Sequence, residues 1–111
     1  MRELLYNAAR HFKRGRALAE RGDARGAWAA FEEALRDLHA VPPQRMRDVL
    51  LAQVHLSRYK VAREVDPEAA LQDLRFGYSY ARTSRESAVE SLAQALWQEH
   101  VNEASEAGRA L

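Results

Sequence analysis

The sequence predicts an all-α fold, a stack of antiparallel helical hairpins, on three observations. Ala (21 residues) and Arg (15), together with Leu and Glu, dominate a chain of 111 residues in which β-branched residues are scarce, and these are strong helix formers. Apolar residues recur at three- and four-residue steps, the signature of one buried helix face. Short breaker segments cut the chain into five such stretches, and short connections make consecutive helices antiparallel neighbours.

The first helix is expected over about 3–21, with Leu4, Leu5, Ala8, Ala9, Phe12, Gly15, Leu18 and Ala19 forming its stripe. Gly22-Asp23 ends it, because Gly suits the left-handed position past a helix end and Asp caps the next helix. The second, about 24–39, carries Ala27, Trp28, Ala30, Phe31, Ala34, Leu35 and Leu38 and stops at Pro42-Pro43. A third and longer helix, about 44–65, is expected to bury Met46, Val49, Leu50, Val54, Val61, Ala62 and Val65. Asp66-Pro67-Glu68 reads as an N-cap, a proline at the first helical position and an acid in the first turn. The fourth helix then runs to about residue 82 with Ala70, Leu71, Leu74, Gly77, Tyr78 and Ala81 inward. Phe76-Gly-Tyr-Ser-Tyr80 alternates like a strand, yet its flanks are helical and no partner strand exists, so helix is preferred. Thr83 or Ser84 is expected to cap a fifth helix that reaches about residue 107 and buries Val89, Leu92, Ala93, Leu96 and Val101.

Composition bounds the function classes. A chain of this length makes one domain with one core, too small for a two-domain cofactor enzyme. With no cysteine there is no disulfide framework, thiolate zinc site or cysteine nucleophile. No stretch approaches the roughly 20 apolar residues that span a bilayer, and the first residues lack the apolar core of a signal peptide. A soluble cytoplasmic protein is expected. The net charge of +1 hides an asymmetry: residues 1–65 hold 13 Lys+Arg against 8 Asp+Glu, a balance of +5, and residues 66–111 hold 4 against 8, a balance of −4. Such a dipole suits an acidic partner or head-to-tail self-association, and equally suits solubility alone.

The block from Gly22 to Leu35 resembles the second half of a tetratricopeptide repeat, a family in which a Gly-Asp turn precedes a helix marked by Ala, an aromatic and Ala. Ala27, Phe31 and Ala34 match those positions, and upstream Gly15 and Leu18 match the small and large residues of the first helix; His11 and Arg14 depart from the usual aromatic and leucine. Asp66, Ala70, Leu74 and Gly77 repeat the spacing of Asp23, Ala27, Phe31 and Ala34 after 43 residues, longer than the family period of about 34. Arg58 falls where a small residue belongs. The resemblance implies one domain over 1–111, with repeat one at about 3–41, repeat two at about 44–82 and a cap helix at about 84–108. A plain five-helix bundle without a groove is the alternative.

Candidate chemistry is sparse. His11, His39, His55 and His100 are scattered, and His100 with Glu99 and Glu103 offers too few ligands for a metal, so that group reads as solvated surface. No phosphate loop or nucleophile elbow is present, and the serines lack a base-and-orienter pairing. No enzyme activity, cofactor or metal is expected. The first helix carries Arg10, Lys13, Arg14 and Arg16, with Phe12 beside Lys13 and Arg16. The resemblance implies that this side lines a concave peptide-binding groove, continued by His55, Tyr59 and Arg63 and then by Glu90, Gln94 and Trp97. Cations among aromatics suit an acidic peptide or a carboxyl terminus, and the expected function is a protein-interaction adaptor. Three alternatives stand beside it. The charged face merely keeps the protein in solution, the basic first helix contacts nucleic acid, or the chain is a structural homodimer using Trp28 or Trp97. The modest total charge and the interspersed Glu20, Asp23, Glu32 and Glu33 count against a nucleic-acid surface.

Overall fold

In the computed structural model, which describes residues 2–110 and the side chains of 2–108, five helices follow one another: α1 (Arg2–Glu20), α2 (Ala24–His39), α3 (Arg45–Val65), α4 (Pro67–Ser84) and α5 (Ser87–Ala110). The stretch 76–80 is helical. No helix is long and apolar enough to cross a membrane among the described residues.

The junctions follow local chemistry. Gly22 sits at φ 83°, a conformation costly for other residues, and the Asp23 carboxylate accepts from the Gly26 amide at 2.9 Å to cap α2. Asp66 repeats the device for α4, accepting from the Ala69 amide at 3.4 Å with Pro67 in the first turn. The α4–α5 junction differs from the expected cap at Thr83 or Ser84. Helix α4 continues through Ser84, Arg85 ends it in the left-handed region at φ 56°, and the Glu86 side chain accepts from the Ala88 amide at 3.4 Å. Ser84 is buried, donating to the Ala81 carbonyl at 2.7 Å and accepting from the Glu86 amide at 3.2 Å.

Helix α3 touches all four others, with α2 packed on α1 and α3, and α4 packed on α3 and α5. It supplies Leu51, Val54 and Val61 to a core shared with α1 and α2, and Ala52, Leu56, Tyr59 and Ala62 to a core shared with α4 and α5. Apolar residues therefore run around most of its circumference, which blurs the single stripe seen in α2. Helices α1, α3 and α5 lie side by side, and the molecule measures 50 × 30 × 19 Å.

The two hairpins use equivalent positions differently. Ala27, Phe31 and Ala34 are buried, as are Ala70, Leu74 and Gly77, while Leu18 is half-buried against the first core. In the first hairpin the close approach is made from the first helix, where a Cβ on Gly15 would collide with the Phe31 ring. In the second it is made from the second helix, where a Cβ on Gly77 would come within 2.6 Å of the Leu56 side chain. The small residue displaced from position 58 has its counterpart on the partner helix.

Periodicity overstates burial at the edges. Met46, Leu92 and Val101 fall on apolar stripes yet stay 53%, 38% and 40% exposed, because no further helix covers them. Gly15→Ala and Gly77→Ala each overpack a crossing, at about 1–3 kcal/mol, against the roughly 1 kcal/mol that Ala gains over Gly within a helix. Both are expected to lower the urea midpoint. Gly108→Ala, where an added Cβ meets nothing within 4 Å, is expected not to.

Candidate partner-binding groove

The three helices that lie side by side leave a groove along α3. Met46, Val49, Gln53, Ser57 and Lys60 follow at three- and four-residue steps, forming a strip about 21 Å long at 1.5 Å per residue. Toward its C-terminal end, Ser57 and Lys60 face Arg16, Ala19 and Glu20 of α1 across a depression of about 220 Å³ floored by Phe31. At its N-terminal end, Met46, Val49 and Gln53 face Ala88 and Val89 of α5 across a second depression of about 400 Å³. The groove thus has an apolar end and a cationic end. Arg45 and Glu86, paired at 3.3 Å, rim the apolar end.

The sequence-predicted groove residues divide into four groups. Of the α1 residues, Arg16 lines the depression against α3 and lies 5.6 Å over the Phe12 ring, Phe12 packs inward on Phe31 with centroids 6.0 Å apart, and Lys13 is exposed. His55 and Tyr59 are not groove residues, since they are only 5% and 1% exposed. Stepping by four from His55 follows the inward face of α3, about two residues out of phase with the open strip. Arg63 is exposed but held by Glu103 of α5 through hydrogen bonds to both carboxylate oxygens. Gln94 and Trp97 sit on the flank of α5 that meets α4, where Gln94 and Glu90 line a small cleft with Tyr78 and Trp97 stands 5.9 Å from the Tyr78 ring. The group of His100, Glu99 and Glu103 is likewise more than solvated surface. Glu103 binds Arg63, and His100 meets the Tyr59 ring edge-on at 6.2 Å.

What sequence reasoning missed is why His55 turns inward. Asp73, only 1% exposed on α4, accepts from His55 Nδ1 at 2.9 Å and from Arg58 Nε at 3.0 Å to each carboxylate oxygen. A carboxylate facing a guanidinium can only accept, so Nδ1 of His55 carries the proton. Aromatic rings enclose the triad: Trp28 lies 4.6 Å from the Arg58 guanidinium, and Phe76 and Tyr80 stack on His55 at 5.3 and 5.9 Å. The available signal was an acid beside the buried stripe of α4 and an arginine in the place of a small residue.

Tyr59 and His39 are shifted from their ordinary values. Burial pushes the Tyr59 hydroxyl up from its ordinary value, with Arg63 opposing and Glu103 and Glu99 reinforcing. Its Oη is the one buried side-chain polar atom without a hydrogen-bond partner among the described residues. Burial, then the nearby His55 and Arg47, hold the His39 imidazole below the usual 6.5.

The chain matches no protein-family model, no curated protein and no solved structure.

Removing one member of a buried ion pair strands the others, so Asp73→Ala is expected to cost about 3–5 kcal/mol in urea unfolding, a large share of the roughly 5–15 kcal/mol available to a small domain. For His39 the sign follows from its depressed value. Above pH 6.5 both states are neutral there; below it the unfolded chain takes up the proton first, so stability falls as pH drops. Thermal melts between pH 5 and 8 should show a shallower acid-side decline for His39→Gln than for the parent.

Proposed function

We propose that the chain is a protein-interaction module of tetratricopeptide-like build that takes an extended segment of another protein along the open face of α3. The observation that supports this reading best is the two-ended groove between α1, α3 and α5. Met46, Val49 and Val89 offer an apolar seat at one end, and Arg16 and Lys60 offer cations at the other, partly balanced by Glu20. A strip of about 21 Å accommodates roughly six extended residues at about 3.3 Å each. The fitting ligand has an apolar anchor and, about five residues away, an acidic side chain or a chain-terminal carboxylate. The anchor leaves water on Met46, and the carboxylate gains charge-assisted hydrogen bonds.

A second reading is supported by the outward side of α1. Arg10, Lys13 and Arg14 are exposed with Tyr6 nearby, a surface that nucleic-acid phosphates would fit. The two readings separate by mutation. Charged hydrogen bonds contribute about 1.5–3 kcal/mol, so Arg16→Glu with Lys60→Glu is expected to weaken a captured protein partner at least tenfold, while Arg10→Glu with Arg14→Glu leaves it bound. Pull-down and titration of that partner check this. Loss only with the second pair, together with duplex binding that weakens steeply with salt, would favour the nucleic-acid reading.

A further inference from the structure

Beyond residue 65 the chain has four arginines, Arg75, Arg82, Arg85 and Arg109. The first three surround one shallow depression of about 570 Å³ on the outer side of α4, together with Tyr78, Ser79 and Thr83. Among the described residues no carboxylate lies within ion-pair distance of these three. The arginines of α3 behave differently, since Arg45, Arg47, Arg58 and Arg63 each face an acid. Arg82 and Arg85 stand at the end of α4, where the helix dipole favours cations. Arg75 is mid-helix, beyond the reach of that effect, so the dipole does not account for the cluster.

We propose that this depression binds a phosphomonoester, presented as a phosphorylated side chain in an exposed segment of a partner protein. One planar guanidinium satisfies a carboxylate with two parallel hydrogen bonds, whereas a tetrahedral dianion has three acceptor oxygens that call for donors from several directions. Three guanidinium groups and the Ser79 hydroxyl supply them. Thr83 does not take part, because its single hydroxyl proton is already taken up by the Asp48 carboxylate at 3.0 Å and the Tyr80 carbonyl at 3.1 Å. A free nucleotide fits less well, because its base would enter the adjoining α4–α5 cleft, whose lining includes the Glu90 carboxylate. A polynucleotide needs cations along many phosphates. The three arginines span about 15 Å at 1.5 Å per residue and are preceded on α4 by the exposed Glu68. The site lies apart from the α3 groove and stands independently of the function proposed for that groove.

The test titrates the full chain, followed by NMR of the arginine Nε–Hε groups, with four probes. These are a nonapeptide library with a central phosphoserine, the same library with serine, inorganic phosphate, and a 12-residue oligothymidylate. Arg75, Arg82 and Arg85 signals should move with the phosphoserine library, at an affinity at least tenfold above the serine library and above inorganic phosphate. Arg75→Gln with Arg82→Gln, verified as folded by circular dichroism, should abolish the response, while Arg36→Gln, an exposed arginine of α2, should leave it intact. Equal binding of the two libraries, inorganic phosphate binding as tightly as the phosphopeptides, oligothymidylate binding more tightly than them, or a response that survives the double substitution would each overturn the proposal.

Discussion

The carboxylate of Asp73 sets the terms for the rest of the structure. Buried on α4, it must be matched by hydrogen-bond donors, and the Arg58 guanidinium and the His55 Nδ1–H on consecutive turns of α3 provide them. A buried charge group of this kind adds little net stability over a well-packed apolar equivalent, but it tolerates no displacement, because sliding α4 by one turn would strand the Asp73 carboxylate and leave the donors on Arg58 and His55 unmatched. Register between α3 and α4 is thereby fixed. Trp28, laid over the Arg58 guanidinium, brings α2 to the same point. With both flanks of α3 committed to neighbours, one strip remains open to solvent, the strip from Met46 to Lys60. The groove is the remainder of a packing problem whose first term is Asp73.

Local signals in the sequence were sufficient for the elements and insufficient for the faces. Asp23 and Asp66 act as N-caps because their side chains reach backbone amides three residues on, a relation visible in one dimension. Gly22 and Pro67 are equally local. The open face of α3 is not, because a helix with apolar residues on most sides has no single stripe, and aligning it to α1 by the 43-residue shift places His55 opposite Phe12. That alignment misleads where Arg58 replaces a glycine: the close crossing moved to Gly77, and the freed position was given to an ion pair. Arg63 falls among the groove positions in sequence because nothing there announces that α5 places Glu103 against it. Met46, Leu92 and Val101 show the complementary limit, since periodicity reports which side of a helix can be buried and not whether a neighbour arrives.

Charge tells the same story at larger scale. Dividing the chain into a basic and an acidic part points to α1 as the cationic surface, and Arg10, Lys13 and Arg14 on its outward side have no acidic partner among the described residues. Within the structure, however, acids gather on the arginines of α3, while the nominally acidic part exposes a set of three arginines on α4 without acidic partners among the described residues. Sums over sequence cannot show this, because pairing depends on which helices become neighbours.

If the Asp73 cluster organises the fold, the α3–α4 pair is the last part of the molecule to open, with α1, α2 and the overhanging end of α5 less protected. Native-state hydrogen exchange, resolved by residue, measures this directly. The slowest amides are expected in the turns around 52–62 and 70–81, exchanging only through global unfolding. Slowest exchange in the α1–α2 hairpin, with α3 and α4 opening at lower free energy, would contradict it.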